Sequence, residues 1–135
     1  MILPNTADYS KCKDEQSFKM LFLKHIPNKE AFNHFCIETE DTVKGFPDVL
    51  SIRKETNLAH FLEFKYTKTG KIKFQPTQPA FYKKYKDLDI MVIAYNAKTD
   101  KVHSFMTNEL FMKESPYCMN EKAEVDLCKA EQLNK

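Results

Sequence analysis

The spacing of apolar residues along the chain predicts alternating helices and strands. Between residues 14 and 26 the apolar side chains recur at helical spacing, which predicts a helix there; they are Phe18, Leu21, Phe22 and Ile26. Residues 1–13 show no period and are expected to be irregular. Residues 30–38 are compatible with either a second helical turn or a first strand, and a strand over about 32–37 is predicted.

Two β-rich runs predict an antiparallel hairpin. Residues 47–53 and 58–66 flank a polar turn over residues 54–57. If the turn is centred between Glu55 and Thr56, the numbers of facing residues sum to 111. Asp48 then lies directly opposite Glu63.

The second half of the chain predicts further elements of both kinds, and the whole pattern indicates an α/β fold. A helix is expected to begin at Thr77 as its N-cap and to present Phe81, Tyr85 and Leu88 on one face. A continuous apolar run predicts a strand covered on both faces. The predicted ranges are 90–95 for that strand, 102–106 for its hairpin partner, 107–113 for a short helix and 119–133 for a weakly amphipathic one.

Length and composition bound the class of protein. The chain has 135 residues, of which 42% are hydrophobic and 30% charged, as expected for one packed domain over 1–135. It has no apolar run of membrane-spanning length and no signal-peptide pattern, so a cytoplasmic location is expected, in the host cytoplasm if the chain is viral or phage-encoded. Its four cysteines lack metal-binding or disulfide spacing and are expected to be reduced.

The positive charge is concentrated in one segment. Residues 64–86 contain seven lysines and no acid, interleaved with aromatic residues, although the net charge of the chain is only +2. This is a plausible footprint for a phosphate backbone. A solvated, lysine-rich surface is the alternative. The lysines expected to contact nucleic acid are Lys68, Lys71, Lys73 and Lys83.

The predicted Asp48–Glu63 pair indicates metal chemistry. Facing side chains on neighbouring strands are about 5 Å apart, so two carboxylates there repel each other unless a cation is bound. Lys65, two residues beyond Glu63, lies on the same face of the strand. An acid pair, an amine and an adjacent basic segment together point to a metal-dependent phosphodiester hydrolase.

At these residues the sequence resembles the PD-(D/E)XK nuclease superfamily. The match runs through Gly45-Phe46-Pro47-Asp48, Glu63-Phe64-Lys65, Gln78 followed by Phe81, and the apolar strand 90–95. Within this superfamily, the sequence is most similar to the VRR-NUC and Holliday-junction-resolvase branch. The resemblance implies a restriction-endonuclease-like α-β-β-β-α-β core over about residues 14–106, with a central mixed sheet flanked by helices. Residues 107–135 lie beyond this core and are predicted to form a C-terminal helical extension.

The resemblance also implies roles for individual residues. Asp48, Glu63, the Phe64 carbonyl and Glu15 would ligate Mg²⁺ or Mn²⁺, Lys65 would orient or activate the attacking water, and Gln78 matches the helix glutamine near the site. Phe64 stands where a β-branched residue is usual. Other acids precede the Pro-Asp pair and are alternatives to Glu15; they are Glu30, Glu38, Glu40 and Asp41. A viral cap-snatching branch adds a histidine ligand, for which His25 and His34 are the candidates.

The function expected from this resemblance is a Mg²⁺-dependent DNA endonuclease. By family analogy its substrate is branched or structured DNA, as in DNA recombination and repair, and two cuts per junction imply a homodimer. Two alternatives remain open. One is a non-catalytic nucleic-acid-binding or inhibitory protein on the same fold, and the other is an RNA endonuclease.

Overall fold

An α/β fold extends over the residues that the computed structural model describes, which are 1–37, 45–111 and 123–133. The strands in chain order are β1 (Ile2–Leu3), β2 (Phe32–Cys36), β3 (Val49–Arg53), β4 (Ala59–Thr67), β5 (Lys71–Lys73), β6 (Ile90–Asn96), β7 (Lys101–Met106) and β8 (Glu124–Asp126). The helices are α1 (Glu15–Lys24), α2 (Thr77–Lys84), α3 (Thr107–Phe111) and α4 (Leu127–Leu133).

A mixed sheet forms the centre of the described structure. Its six strands are ordered β1-β7-β6-β4-β3-β2. Strands β2, β3 and β4 form an antiparallel meander, β6 lies parallel to β4, and β7 returns antiparallel to β6. Parallel neighbours need a crossover connection, and α2 lies within the connection from β4 to β6.

The β3–β4 hairpin has the predicted register. Val49 pairs with Leu62 and Ser51 with His60, so the paired numbers sum to 111. The Arg53 amide donates to the Leu58 carbonyl at 2.9 Å to close the hairpin. The turn is completed by a positive φ at Asn57, a residue type that tolerates this conformation. The predicted hairpin is therefore confirmed.

Helix α1 covers one face of the sheet. It begins after Asp14, whose carboxylate accepts a 2.8 Å hydrogen bond from the Ser17 amide in a capping box. Phe18 and Phe22 are buried against rings from the central strands, namely Phe64 and Tyr95. The helix predicted over 14–26 is confirmed, although it ends at Lys24.

The opposite face of the sheet is covered by α2, α3, α4 and a ribbon of two strands. The ribbon pairs β5 with β8 in antiparallel orientation. This second core includes fully or almost fully buried side chains from every one of these elements; examples are Ile72, Phe81, Leu110, Val125, Leu127 and Ala130. Residues 123–130 thus belong to the same core as the central sheet.

The prediction that residues 1–13 are irregular is partly wrong. Ile2 and Leu3 pair with His103 and Val102 at the outer edge of the sheet. Tyr9, in a 3-10 turn, is 1% exposed and packs among the rings of the α1 core. A two-residue strand and a single turn are too short to produce a detectable period.

The predicted boundaries of α2 also need correction. Thr77 is the first helical residue, and Pro76 occupies the N-cap position without a side-chain cap. Pro76 already has helical φ and ψ angles of −55° and −27°, so the helix starts without a threonine cap. Because the helix ends at Lys84, Tyr85 and Leu88 lie beyond it and are each 39% exposed.

The helix predicted over 119–133 is wrong in its central part. Residues 124–126 form β8, and α4 begins only at Leu127, where the Asp126 carboxylate accepts from the Cys128 amide at 3.0 Å. The partner strand β5 was not predicted. Pairing with a strand about fifty residues earlier in the chain decides the conformation of residues 124–126.

The remaining second-half predictions agree with the structure where it describes them. The apolar run 90–95 lies within β6, and its buried residues face both cores. The return strand and the start of the short helix correspond to β7 and α3. In the described ranges, no helix is long and apolar enough to cross a membrane.

Candidate active site

The β3–β4 hairpin brings the two predicted acids together. Continuing its register by one residue past Val49 and Leu62 places Asp48 opposite Glu63. The Phe64 amide donates a 3.1 Å hydrogen bond to Asp48 Oδ2 and so fixes the carboxylate at the start of β3. Asp48 is half-buried, whereas Glu63 is only 3% exposed.

A glycine holds the segment before Asp48 against α2. Gly45 has a φ of +89°, and a Cβ atom built on it would lie 2.4 Å from the Thr77 carbonyl oxygen. Only glycine permits both the backbone conformation and this close approach. The contact joins the Gly45–Asp48 segment to the first turn of the helix that carries Gln78.

Gln78 links the acid and the amine of the site. Its Oε1 accepts hydrogen bonds from Lys65 Nζ at 3.0 Å and from the Gln75 amide at 2.9 Å. With its oxygen committed to these two donors, its Nε2 donates to Glu63 Oε1 at 2.6 Å. The orientation of the amide group is therefore determined by its neighbours.

Lys65 is a buried amine within this network. It is 9% exposed, and its Nζ lies 3.7 Å from Glu63 Oε1. The same Nζ lies 4.7 Å from the centroid of the Phe74 ring, within the range of a cation–π contact. The ammonium group is therefore held between a carboxylate, an amide oxygen and an aromatic face.

Glu15 approaches the same cluster from α1. It is the first residue of that helix and lies at the solvent-exposed rim. Desolvation raises the pKa of its carboxyl, the Lys65 charge acts in the opposite direction, and Asp48 raises the pKa further. The charges of Lys65 and Asp48 thus act on Glu15, while its predicted role as a metal ligand stays a prediction.

Burial dominates the electrostatics of Glu63. Loss of solvent, followed by repulsion from Asp48, raises the pKa of its carboxyl from 4.5 to about 8, although Lys65 favours the charged form. Burial also raises the pKa of the nearby Tyr82 phenol, and the charges of Glu63 and Asp48 add to that effect. The positive charge of Lys65 therefore does not offset the loss of solvent and the repulsion between the carboxylates of this site.

The donor set fits a hard divalent cation. Glu63 Oε2 is buried and has no hydrogen-bond partner among the described residues, which leaves a carboxylate oxygen available for an ion. Asp48, Glu63, Glu15 and the Phe64 carbonyl are the groups that could hold it. Within the described part of the chain, no three histidine, cysteine or acidic side chains are already arranged as a metal-binding group.

The other residues predicted as possible upstream ligands do not adjoin Asp48 where the structure describes them. Glu30 lies in a 3-10 turn before β2, next to the strand end that pairs with Arg53 and away from the end next to Asp48. Glu38, Glu40 and Asp41 lie outside the described residues. His25 follows the last turn of α1, and His34 lies in β2 opposite Ser51, so neither adjoins Asp48 in the sheet.

The four predicted nucleic-acid lysines are all exposed but differ in surroundings. Lys68 follows β4 and Lys83 lies on α2. Lys71 and Lys73 project from β5, where their partners in β8 are Asp126 and Glu124. Lys73 Nζ lies 4.0 Å from Glu124 Oε2. The ribbon therefore places an acid beside each of its two lysines.

Sequence reasoning missed two features of this region. It gave Phe74 no role, yet its ring faces Lys65, and it did not pair the β5 lysines with acids near the C-terminus. The alternation of polar and apolar residues over 71–74 is a strand signal that could have placed Ile72 and Phe74 on a buried face. The acids on β8 had no comparable local signal.

Comparisons with family models, curated proteins and solved structures found no match to this chain.

Proposed function

We propose that the chain is a divalent-metal-dependent endonuclease of the PD-(D/E)XK type that hydrolyses phosphodiester bonds in DNA. The observation that carries this proposal is that Gln78 holds Lys65 and Glu63 together, while the hairpin register places Asp48 opposite Glu63. Structural ion pairs seldom place two acids side by side with one carboxylate oxygen unpaired, because the repulsion costs stability.

The element order supports the same proposal. Apart from β5, which pairs with β8 outside the central sheet, the elements from α1 through β2, β3, β4 and α2 to β6 follow the α-β-β-β-α-β order that the resemblance implies. Asp48 immediately precedes the second of these strands, and Glu63 and Lys65 lie on the third. In the resolvase-like branch that the motifs resemble, this order accompanies activity on branched DNA.

Hydrolysis of a phosphodiester requires stabilisation of the negative charge that develops on the phosphate oxygens. A bound Mg²⁺ or Mn²⁺ supplies a Lewis acid that lowers the pKa of water and stabilises charge on phosphate oxygens. Lys65 places an ammonium group beside the acids, where it can orient water or stabilise charge that develops during hydrolysis. Gln78 holds both Lys65 and Glu63 in place.

The proposed substrate is DNA with branched or other irregular structure. Lys68 and Lys83 offer exposed positive charge on the elements that carry or flank the site. Cutting two strands of a junction requires two active sites, so a homodimer is part of the proposal. RNA cleavage and binding without cleavage are the outcomes that would replace it.

A cleavage assay tests the proposal directly. The wild-type chain is incubated with labelled duplex, four-way junction, single-stranded DNA and RNA, in Mg²⁺, Mn²⁺ or EDTA. We expect metal-dependent product from junction DNA. Asp48→Asn and Lys65→Met should each lower the rate by about 100-fold or more, since each removes a charge from the reacting centre.

Asp87→Asn and Lys98→Met are matched controls because both residues are exposed and lie away from the cluster. They should cut at the wild-type rate. Equal losses in the controls and the site variants would contradict the assignment of the site. Tight DNA binding with no product under any metal would instead identify a non-catalytic binding protein, and product from RNA alone would identify an RNA endonuclease.

A further inference from the structure

The segment 123–127 is joined to β5 at both ends of the two-stranded ribbon. At one end the Phe74 amide donates to the Ala123 carbonyl at 2.8 Å, and at the other the Leu127 amide donates to the Gly70 carbonyl at 3.0 Å. Between these bonds β5 pairs with β8, and each strand buries its central apolar side chain. The segment 123–127 therefore holds the chain in place shortly before α2 begins.

Two consecutive residues after β5 reach the candidate active site. The centroid of the Phe74 ring lies 4.7 Å from Lys65 Nζ, and the Gln75 amide donates to Gln78 Oε1 at 2.9 Å. The same Gln78 oxygen accepts from Lys65 Nζ at 3.0 Å. Both contacts thus act on the Lys65 ammonium group, one directly and the other through Gln78.

The Phe74 ring is held from a second direction by α2. It is 3% exposed, and it packs against the Tyr82 ring with 6.2 Å between the centroids and an angle of 88° between the planes. Tyr82 lies four residues after Gln78, so both side chains project from the same side of the helix. The ribbon and α2 together fix the ring that Lys65 contacts.

A lysine needs contacts of this kind to keep its charge in one place. Its ammonium group ends a flexible four-carbon stem, and a single hydrogen bond leaves most of that freedom. Lys65 is 9% exposed, and the attraction between a cation and an aromatic face becomes stronger when the cation is removed from water. Phe74 can therefore do more at this position than fill space in the core.

We propose that Phe74 is a positioning residue for Lys65 and that the segment 123–127 holds Phe74 in place. The segment is then a structural component of the active site, although it lies about fifty residues further along the chain than β5. The expected effect on cleavage rests on the proposed function. The position of the ammonium group does not depend on that function and can be measured separately.

Fluorinated phenylalanines incorporated at position 74 test the contact while the buried ring remains. Fluorine withdraws electron density from the ring face, which weakens the attraction to a cation and changes the ring size little. We expect kcat for junction DNA in Mg²⁺ to fall stepwise to the trifluorinated ring, by about ten-fold in all, with KM within about two-fold. An unchanged kcat across the series would overturn the proposal.

The same series at Phe105 is the matched control. Phe105 is 2% exposed in the same core, and its ring stacks beside His103 on β7. Its fluorination changes the core in the same way, so kcat should stay within about two-fold of the unmodified protein. Equal losses in the two series would overturn the proposal, because fluorination would then act through packing of the core in general.

Nuclear magnetic resonance measures the position of the ammonium group without any reaction. In metal-free protein with ¹³C-labelled lysine, the signal that disappears in Lys65→Met belongs to Lys65. The ring current of Phe74 should place its ε-methylene proton resonance upfield of those of the exposed lysines, and Phe74→Leu should move it back towards them. A Lys65 resonance that Phe74→Leu leaves unchanged would overturn the proposal.

Two buried valines test the role of the segment 123–127. Val125 on β8 and Val102 on β7 are both 0% exposed, so their alanine variants lose the same two carbon atoms from the interior. Val125 pairs with Ile72 of β5, and Val125→Ala should therefore loosen the ribbon. We expect this variant alone to shift the Lys65 resonance and to lower kcat about three-fold or more. Equal results for the two variants would show that the segment does not hold Phe74.

The two readouts separate the positioning of Lys65 from the proposed endonuclease. Cleavage that responds to neither fluorination of Phe74 nor Val125→Ala would overturn the positioning and leave the enzyme. The expected shifts of the Lys65 resonance, with no cleavage under any metal, would overturn the enzyme and support the positioning of the ammonium group by Phe74.

Discussion

Glu63 illustrates how a single residue can reduce the stability of the fold. Its carboxyl is 3% exposed, its Oε1 is bonded to Gln78, and its Oε2 has no partner among the described residues. Lys65 is close but does not offset the loss of water, so the pKa is raised to about 8. Residues that lower stability in this way are typical of functional sites.

The raised pKa predicts how stability changes with pH. Below about pH 4.5 Glu63 is protonated in both the folded and the unfolded chain and contributes no pH dependence. As the pH rises from 4.5 to about 8, the unfolded chain releases this proton and the folded chain retains it, so the free energy of unfolding falls. Glu63→Gln should therefore match the wild type near pH 4.5 and exceed it by up to about 5 kcal/mol at pH 8.5, at about 1.4 kcal/mol for each unit between the two pKa values.

Urea denaturation of both proteins across this pH range, without added metal, measures the difference. Glu55→Gln is the control, because Glu55 lies exposed in the β3–β4 turn and its loss should not produce this pH dependence. A Glu63→Gln variant that is equally stable or less stable than the wild type at pH 8.5 would show that the buried Glu63 carboxyl does not destabilise the folded chain at that pH.

At the scale of elements, the site depends on how a loop packs against a helix. The Gly45–Asp48 segment touches α2 at Thr77, one residue before Gln78, so the loop that carries one acid is attached to the helix that positions the other. The hairpin supplies the complementary constraint through the Phe64–Asp48 hydrogen bond. A close packing contact and a hydrogen bond thus fix Asp48 relative to Glu63.

Two glycines with the same backbone conformation allow this contact to be tested. Gly45 and Gly70 have φ angles of +89° and +87°, but a Cβ on Gly70 would meet only Asn96 Nδ2, at an ordinary 3.6 Å. Both alanine variants incur the left-handed penalty of about 1–2 kcal/mol. Gly45→Ala should lose a further 1–3 kcal/mol or so, because its Cβ overlaps the backbone of Thr77.

Chemical denaturation of the two variants measures this difference in the free energy of unfolding. Both variants carry the same conformational penalty, so the loss measured for Gly70→Ala is subtracted from the loss for Gly45→Ala. The difference reports the close contact of the Gly45 position with Thr77. If the two variants are equally destabilised, the Gly45 backbone does not approach α2 as closely as described.

At the scale of the whole molecule, charge is distributed differently in space than along the chain. The segment 64–86 is strongly basic in sequence, but pairing of β5 with β8 places Asp126 and Glu124 opposite Lys71 and Lys73. Lys68 and Lys83 are exposed and have no such strand partner in the described structure. The lysines therefore differ in how much positive charge they present to a distant phosphate.

This difference predicts unequal contributions to nucleic-acid binding. Lys68→Gln with Lys83→Gln should lower the slope of log affinity against log salt by up to about 1.8 for duplex DNA, at about 0.9 per lost phosphate contact. Lys71→Gln with Lys73→Gln should lower it less, because neighbouring acids already compensate these charges. Affinities measured at several salt concentrations give the slopes, and a larger loss from the second pair would show that the ribbon contacts the nucleic acid.

The residues near one another in sequence were the ones that the sequence predicted well. The β3–β4 register followed from one polar turn and two β-rich runs, and with it the placement of Asp48 opposite Glu63 and of Lys65 on the same strand face. The first helix and the apolar strand β6 followed from periodicity and run length. Local pattern is sufficient in these cases because each depends on residues within about twenty positions.

Other features depend on contacts between distant parts of the chain, and only the tertiary structure decided them. Residues 124–126 become a strand because β5 is available to pair with them, and the same pairing moves acids next to Lys71 and Lys73. The close fit of Gly45 against Thr77 and the contact of Phe74 with Lys65 arise from packing of separate elements. No local period in the sequence encodes such contacts. Each of the two segments alone is compatible with several conformations, and it adopts one of them only when the other segment packs against it.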